Sequence, residues 1–246
     1  MILTGFLASL LAGLATGVGA LPLVILRGRL SRPLLDGMLG FTAGVMLAAT
    51  AFGLLSPALE LGGLIPAAGG LLLGAAFIYL LDRRVPHAHF HGIGEGPASG
   101  MSRAWLLFLA IALHNIPEGL AVGVIFGSGQ LGAAVALAVA IGLHNLPEGL
   151  AVATAFFREG YRAWPAVGLA TVTGLAEPAA ALVGALVVGA VAAVLPWGLA
   201  LAGGAMLYVV SDELIPESHR GGHQVEATAG VVVGFLLMMA LGHVLG

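Results

Sequence analysis

The chain of 246 residues is 59% hydrophobic and only 9% charged, with a formal net charge of −3, whereas an ordinary soluble domain carries roughly 25% charged residues. With a mean hydropathy of +1.06, this composition excludes a soluble globular domain and reads as an all-α, polytopic membrane protein. There is no cysteine, so disulfides, iron–sulfur clusters and thiolate metal sites are excluded, and any metal must be held by imidazole, carboxylate, amide, hydroxyl or backbone groups.

A span needs about 20 apolar residues. The punctuation of the chain predicts eight, at 2–26, 37–56, 64–81, 104–126, 131–157, 163–194, 197–215 and 225–245, within a single transmembrane domain. The first run resembles a signal peptide, but no Lys or Arg precedes it and it continues through Leu26, so it is expected to be a retained span. The 39 glycines lie largely within the apolar segments. This fits close helix-to-helix contact, because lipid supplies no hydrophobic drive for association. Gly13, Gly17 and Gly19 of the first span, and Gly37, Gly40 and Gly44 of the second, read as packing faces.

The nine basic residues are all arginines: Arg27, Arg29 and Arg32; Arg83, Arg84 and Arg103; Arg158 and Arg162; and Arg220. They occupy alternate connections of an eight-span chain. The positive-inside rule therefore puts these connections in the cytoplasm and both termini outside, as expected for a bacterial-type inner (cell) membrane. The longest connection, 82–102, holds His87, His89 and His91. Alternating His binds metal loosely, and a solvated loop with no metal is the alternative reading.

Ionisable groups deep in a bilayer cost at least about 2.5 kcal/mol on insertion scales and mark function by default. The fourth span carries His114-Asn115-Ile116-Pro117-Glu118-Gly119 and the fifth carries His144-Asn145-Leu146-Pro147-Glu148-Gly149. In each, His and Glu are four residues apart and share a helical face one turn apart, the arrangement of a metal-ligand pair. His114 lies eleven residues past Arg103, about 16 Å at the helical rise of 1.5 Å per residue. His144 lies fourteen residues before Arg158, about 21 Å by the same rise. Glu177, followed by Pro178, is fifteen residues past Arg162, or about 22 Å. Three consecutive spans thus bring polar groups to one level. Asn115 and Asn145 are about 100° around the helix from their neighbouring His, facing either a second metal position, the favoured reading, or another helix.

Near the cytoplasmic end of span 7, Glu213 and Glu217 are again four apart, with His219 and His223 close behind. A solvated helix end and an exit funnel fit this pattern equally. His243 reads as interfacial.

The paired His-Asn-x-Pro-Glu-Gly motifs, Glu177-Pro178 and the segment 204–219 (Gly-Ala-Met-Leu-Tyr-Val-Val-Ser-Asp-Glu-Leu-Ile-Pro-Glu-Ser-His) resemble the ZIP family of divalent-metal transporters, in particular its bacterial GufA-type branch. The resemblance covers all eight spans. It implies a ZIP-like fold, a homodimer, a two-metal site, and an elevator-type movement of spans 1, 4, 5 and 6 against spans 2, 3, 7 and 8. Residue by residue, it implies that His114, Glu118, His144 and Glu148 form the primary metal position. Asn115, Asn145 and Glu177 would form the second, with Glu118 or Glu148 bridging, and Glu213, Glu217 and His219 a cytoplasmic release region. The chain departs from some members that carry Asp in place of Asn145, and from others that carry a second His in place of Gly149.

The leading expectation is a transporter of Zn²⁺ or a related divalent ion (Cd²⁺, Fe²⁺, Mn²⁺, Co²⁺) into the cytoplasm, with one or two ions bound in transit, the bilayer and a second copy as partners, and no nucleic acid. An intramembrane zinc hydrolase would use similar ligands. Against it, the chain has no His-Glu-x-x-His and no spare base beside the ligand set. A structural or receptor-like membrane protein leaves the duplicated motif unexplained.

Overall fold

The computed structural model describes residues 1–26, 31–88 and 94–245. Eight helices long and apolar enough to cross a membrane follow one another: α1 Ile2–Leu26, α2 Arg32–Gly62, α3 Leu64–Asp82, α4 Arg103–Ser128, α5 Leu131–Arg158, α6 Ala163–Ala190, α7 Ala192–Arg220 and α8 Gln224–Leu245. The described strands are the two-residue β1 His87–Ala88 and β2 Gly94–Glu95, paired antiparallel between α3 and α4. The protein is therefore an all-α polytopic membrane protein.

Proline explains most of the irregularities. Its ring crowds the carbonyl four residues earlier and it has no N–H to donate. α1 turns at Leu21 before Pro22, and α6 breaks at Leu175 ahead of Pro178. In α2 and α7 the strain is taken up by π-helical segments, Ala49–Leu55 and Val210–Leu214, each followed within two residues by a proline, Pro57 and Pro216. An extra residue per turn gives the ring room. α4 and α5 continue through Pro117 and Pro147. Prolines in first turns also lengthen helices beyond their apolar stretch, since an N-terminal turn needs no donor there. α2 starts at Arg32 with Pro33 in its first turn, so Arg32 and Asp36 are helical although the apolar run begins only near Gly37.

Close glycine contacts join the helices into one set of four, α1, α4, α5 and α6, and two pairs, α2 with α8 and α3 with α7. An ideal Cβ at Gly119 would lie 2.1 Å from the Glu177 carbonyl oxygen, and one at Gly149 1.7 Å from that of Thr16, which locks α4 to α6 and α5 to α1. Equivalent overlaps tie α2 to α8 (Gly44 to the Val231 carbonyl, 2.0 Å) and α3 to α7 (Gly74 to the Leu201 carbonyl, 1.9 Å). Among the described residues, every helix glycine whose Cβ would come under 3.0 Å from another helix's backbone joins members of one group, either α1, α4, α5 and α6 or α2, α3, α7 and α8. Where a glycine faces the other group the spacing is ordinary, as at Gly53 against the Leu137 side chain (3.8 Å) and Gly198 against Val124 (3.4 Å). Backbone-to-backbone contact thus holds α1, α4, α5 and α6 together, while side chains join the α2–α8 and α3–α7 pairs to each other, as at Gly62 against Pro196 and Gly203 against Leu55. α4 and α5 are the most enclosed helices, with 67% and 72% of their apolar windows buried, against 22% in α3 and 11% in α8.

Candidate metal centre

Helical spacing and the glycine contacts together place the duplicated motif. Gly119 lets α4 lie directly on α6 at Glu177, and Gly149 lets α5 lie on α1, so the two His–Glu faces and Glu177 converge between α4, α5 and α6. His114, Asn115, Glu118, His144, Asn145, Glu148 and Glu177 are all buried. His144 Nε2 and Glu118 Oε1 are 2.7 Å apart. Glu118, His144 and Glu148 each present a ligand atom, and these atoms lie within 4.8 Å of one another.

What distinguishes this centre from an interhelical polar knot is its surplus of acceptors. Both carboxylate oxygens of Glu148, Glu118 Oε2 and Glu177 Oε2 are enclosed without a hydrogen-bond partner. Buried polar groups are normally paired, and a buried carboxylate without donors or a counter-ion is costly. A divalent cation is a partner that several oxygens and imidazoles can share.

Of the two readings of the Asn, the structure shows the bonds to other helices. Asn145 donates through Nδ2 to the Ala12 carbonyl (2.9 Å) and to Glu177 Oε1 (2.5 Å). Asn115 donates to the Thr173 carbonyl (2.8 Å). Their Nδ2 partners are pure acceptors, which fixes the orientation of each amide and leaves each Oδ1 buried and unbonded. Each Asn therefore fastens helices within its group and keeps one enclosed, unbonded oxygen.

His114 is held elsewhere: its Nε2 lies 2.6 Å from Glu213 Oε2 of α7. Glu213 and Glu217 are 3% exposed each, so neither is a solvated helix end. Glu213 sits on the π-helical segment Val210–Leu214, where α7 packs across α4. The remaining assignments are scattered. His219 bonds locally, with Nδ1 2.9 Å from the Ile215 carbonyl oxygen and Nε2 3.2 Å from Thr228 Oγ1. His87 is buried and its Nδ1 donates to the Val85 carbonyl (2.9 Å), so it packs in the β1 turn against α4 and is not a solvated loop residue. His89 and His91 lie outside the described residues, and His243 is exposed at the end of α8.

Two features escaped sequence reading. Thr42 of α2 donates to the carbonyl of His144 (3.2 Å), touching the motif from the opposite helix group. A cavity of about 390 Å³ opens between α2, α4 and α5; it runs from the level of Arg32, Arg103 and Arg158 up to Pro147, the neighbour of Glu148. A mid-helix Thr carries no motif, and a cavity between distant helices leaves no local trace.

The chain is similar to known proteins over most of its length. A family model described as ZIP Zinc transporter matches residues 87–242, more than half of the chain. The chain is 45% identical to Zinc transporter GufA of Myxococcus xanthus over 98% of its own length and 99% of that protein. It is 46% identical to Zinc transporter ZIPB of Bordetella bronchiseptica, over 94% of the chain and 78% of that protein. It is also 35% identical to Zinc transporter ZIP11 of Homo sapiens, over 95% of the chain and 94% of that protein.

Proposed function

We propose that this chain, which belongs to the ZIP zinc transporter family, GufA-type branch, carries divalent transition-metal ions into the cytoplasm, with Zn²⁺ the leading cargo. A transporter family leaves no place for the hydrolase alternative. The observation that carries the reading is the convergence of ligand atoms from Glu118, His144 and Glu148 within 4.8 Å, with the Glu148 oxygens unpartnered. Imidazole with carboxylate suits Zn²⁺ and also Cd²⁺, Fe²⁺, Mn²⁺ and Co²⁺. His114 completes the primary position once it leaves Glu213. Asn115 Oδ1, Asn145 Oδ1 and Glu177 Oε2 supply a second, with Glu118 Oε2 or Glu148 shared between the two.

The glycine contacts support an elevator-type movement of α1, α4, α5 and α6 against α2, α3, α7 and α8, because they tie the first four into one body and make no close backbone approach to the other four. The arginine distribution supports both termini outside, the 82–102 connection inside and residence in a bacterial-type inner membrane; residues 1–246 act as one transmembrane domain, in a homodimer. The reading is tested by ⁶⁵Zn²⁺ uptake into vesicles containing the purified protein. The wild type accumulates label, and Glu148→Gln, which keeps the side chain's shape, removes most of the uptake. Unchanged uptake by a well-inserted Glu148→Gln protein sinks the assignment.

A further inference from the structure

We infer that Asp36 and His223 form a further, weaker cation site at the cytoplasmic end of the cavity, a station where a divalent ion pauses after leaving the centre. The inference rests on the transport reading for its role, but the site itself stands on its own geometry. Asp36, in the first turns of α2, is 1% exposed. Its Oδ2 lies 2.8 Å from Nδ1 of His223, in the turn between α7 and α8. Its Oδ1 is enclosed and has no hydrogen-bond partner.

The α7–α8 turn is shaped around this carboxylate. A Cβ at Gly221 would fall 1.9 Å from Asp36 Oδ2, so a larger residue there would push the carboxylate out of place. Gly222, at φ +87°, then takes a left-handed conformation that suits glycine and brings His223 back over Asp36. The result is a carboxylate and an imidazole already facing each other. In a tetrahedral site with ligands at about 2.0–2.2 Å, ligand atoms lie roughly 3.3–3.5 Å apart, so an ion enters between Oδ2 and Nδ1 with a separation of about half an ångström. Oδ1 is free to follow as a further donor.

The position is as telling as the donors. The cavity that ends beside Glu148 at Pro147 is lined at its other end by Asp36. Its lining contains one other carboxylate, Glu159, whose two oxygens are spent on Ser102 Oγ (2.5 Å) and the Ala104 amide (2.8 Å). Asp36 therefore has the uncommitted carboxylate oxygen of the whole lining. Arg32, Arg103 and Arg158 border the same cavity, and their charge opposes a bare cation. An ion descending from the centre is stabilised on the Asp36–His223 pair until water completes its shell. Two protein ligands bind weakly enough to let it go.

Cd²⁺ binding in detergent tests this without transport. A protein with both positions of the centre removed by Glu118→Gln, His144→Ala, Glu148→Gln and Glu177→Gln should keep one weak Cd²⁺ site in equilibrium dialysis. Adding Asp36→Asn or His223→Gln should weaken that site at least tenfold, and a ¹¹³Cd resonance assigned to it should shift or vanish. In the otherwise native protein the same two substitutions should leave the tight central site intact, which also shows that the fold survives, while slowing uptake several-fold. If the centre-deleted protein keeps no Cd²⁺, or keeps a site that neither substitution touches, the inference is overturned. A failure of uptake in the native protein would count against the transport reading and leave the binding result unaffected.

Discussion

His114 of α4 and Glu213 of α7 meet at 2.6 Å with both side chains enclosed, so a candidate metal ligand in one helix group is held by a carboxylate of the other. Nε2 cannot face Glu213 and bind an ion at once. An ion that takes His114 as a ligand therefore has to break this link, and under the proposed elevator movement that break would free one side to move past the other. Thr42, donating to the His144 carbonyl at 3.2 Å, is a weaker link across the same boundary.

The first prediction follows from that link. In metal-free protein, Glu213→Ala leaves an enclosed imidazole without its partner, at a cost of about 1–3 kcal/mol, read as a drop of a few degrees in apparent melting temperature. With saturating Zn²⁺ the ion takes over Nε2, and the deficit should shrink toward zero. A deficit that grows with Zn²⁺ would make Glu213 a ligand of the loaded state and end the interpretation as a link of the empty one.

A second prediction separates glycines that hold the groups together from those that merely occupy a helix. Gly119→Ala forces a methyl to within 2.1 Å of the Glu177 carbonyl. Overpacking of that kind costs about 1–3 kcal/mol or more, and because it pushes α6 away it should also misplace Glu177 and lower metal affinity. Gly168→Ala, in the first half of α6 with nothing within 4 Å of the new Cβ, should be neutral or stabilising by up to about 1 kcal/mol. Equal thermal stability of the two variants would undermine the glycine-locked grouping.

The centre was legible in the sequence because its signal is local: His and Glu four apart around a proline, twice, at depths countable from arginines. Glu177 was legible by depth alone. Glu213 was not, because counting seven residues back from Arg220 puts it near the interface; it is enclosed because the π-helical segment Val210–Leu214 carries it where α7 crosses α4. Asp36 precedes the predicted second span at 37–56 and carries no motif. Only the return of the α7–α8 turn, from a residue 187 positions away, shows why it is buried. His87 was misread for the converse reason: a Gly- and Pro-containing connection looks solvated, while the β1 turn packs its ring against α4. Packing of partners distant in sequence decides each of these cases, and composition and periodicity carry no record of it.

Orientation can be tested directly, because the native chain has no cysteine. Gln130 between α4 and α5 and Ser99 between α3 and α4 are both exposed. A membrane-impermeant thiol reagent applied to intact cells should label Gln130→Cys and spare Ser99→Cys until the membrane is opened. The reverse pattern would invert the topology that the arginines support.

The last prediction concerns protons. In the empty centre, His144 Nε2 lies 2.7 Å from Glu118 Oε1 and His114 Nε2 lies 2.6 Å from Glu213 Oε2. A proton lies between nitrogen and oxygen at such distances, and an enclosed carboxylate is costly without a counter-charge, so the prediction is that each imidazole keeps its Nδ1–H and shares one additional proton with its carboxylate. A cation bound by His144 and Glu118 must expel the first, and one bound by His114 must expel the second, because imidazoles and carboxylates coordinate metals in their deprotonated forms. Loading should therefore release about one to two protons per ion, and affinity should fall as pH is lowered, by up to about tenfold per unit for each proton displaced. Calorimetric titration with Zn²⁺ in buffers of different ionisation enthalpy reads this number from the dependence of the observed heat on the buffer. Glu213→Gln should lower it, since a neutral amide does not hold a proton on His114 in the same way. A heat independent of the buffer would mean that no proton leaves, and neither contact could then be the protonated pair described here.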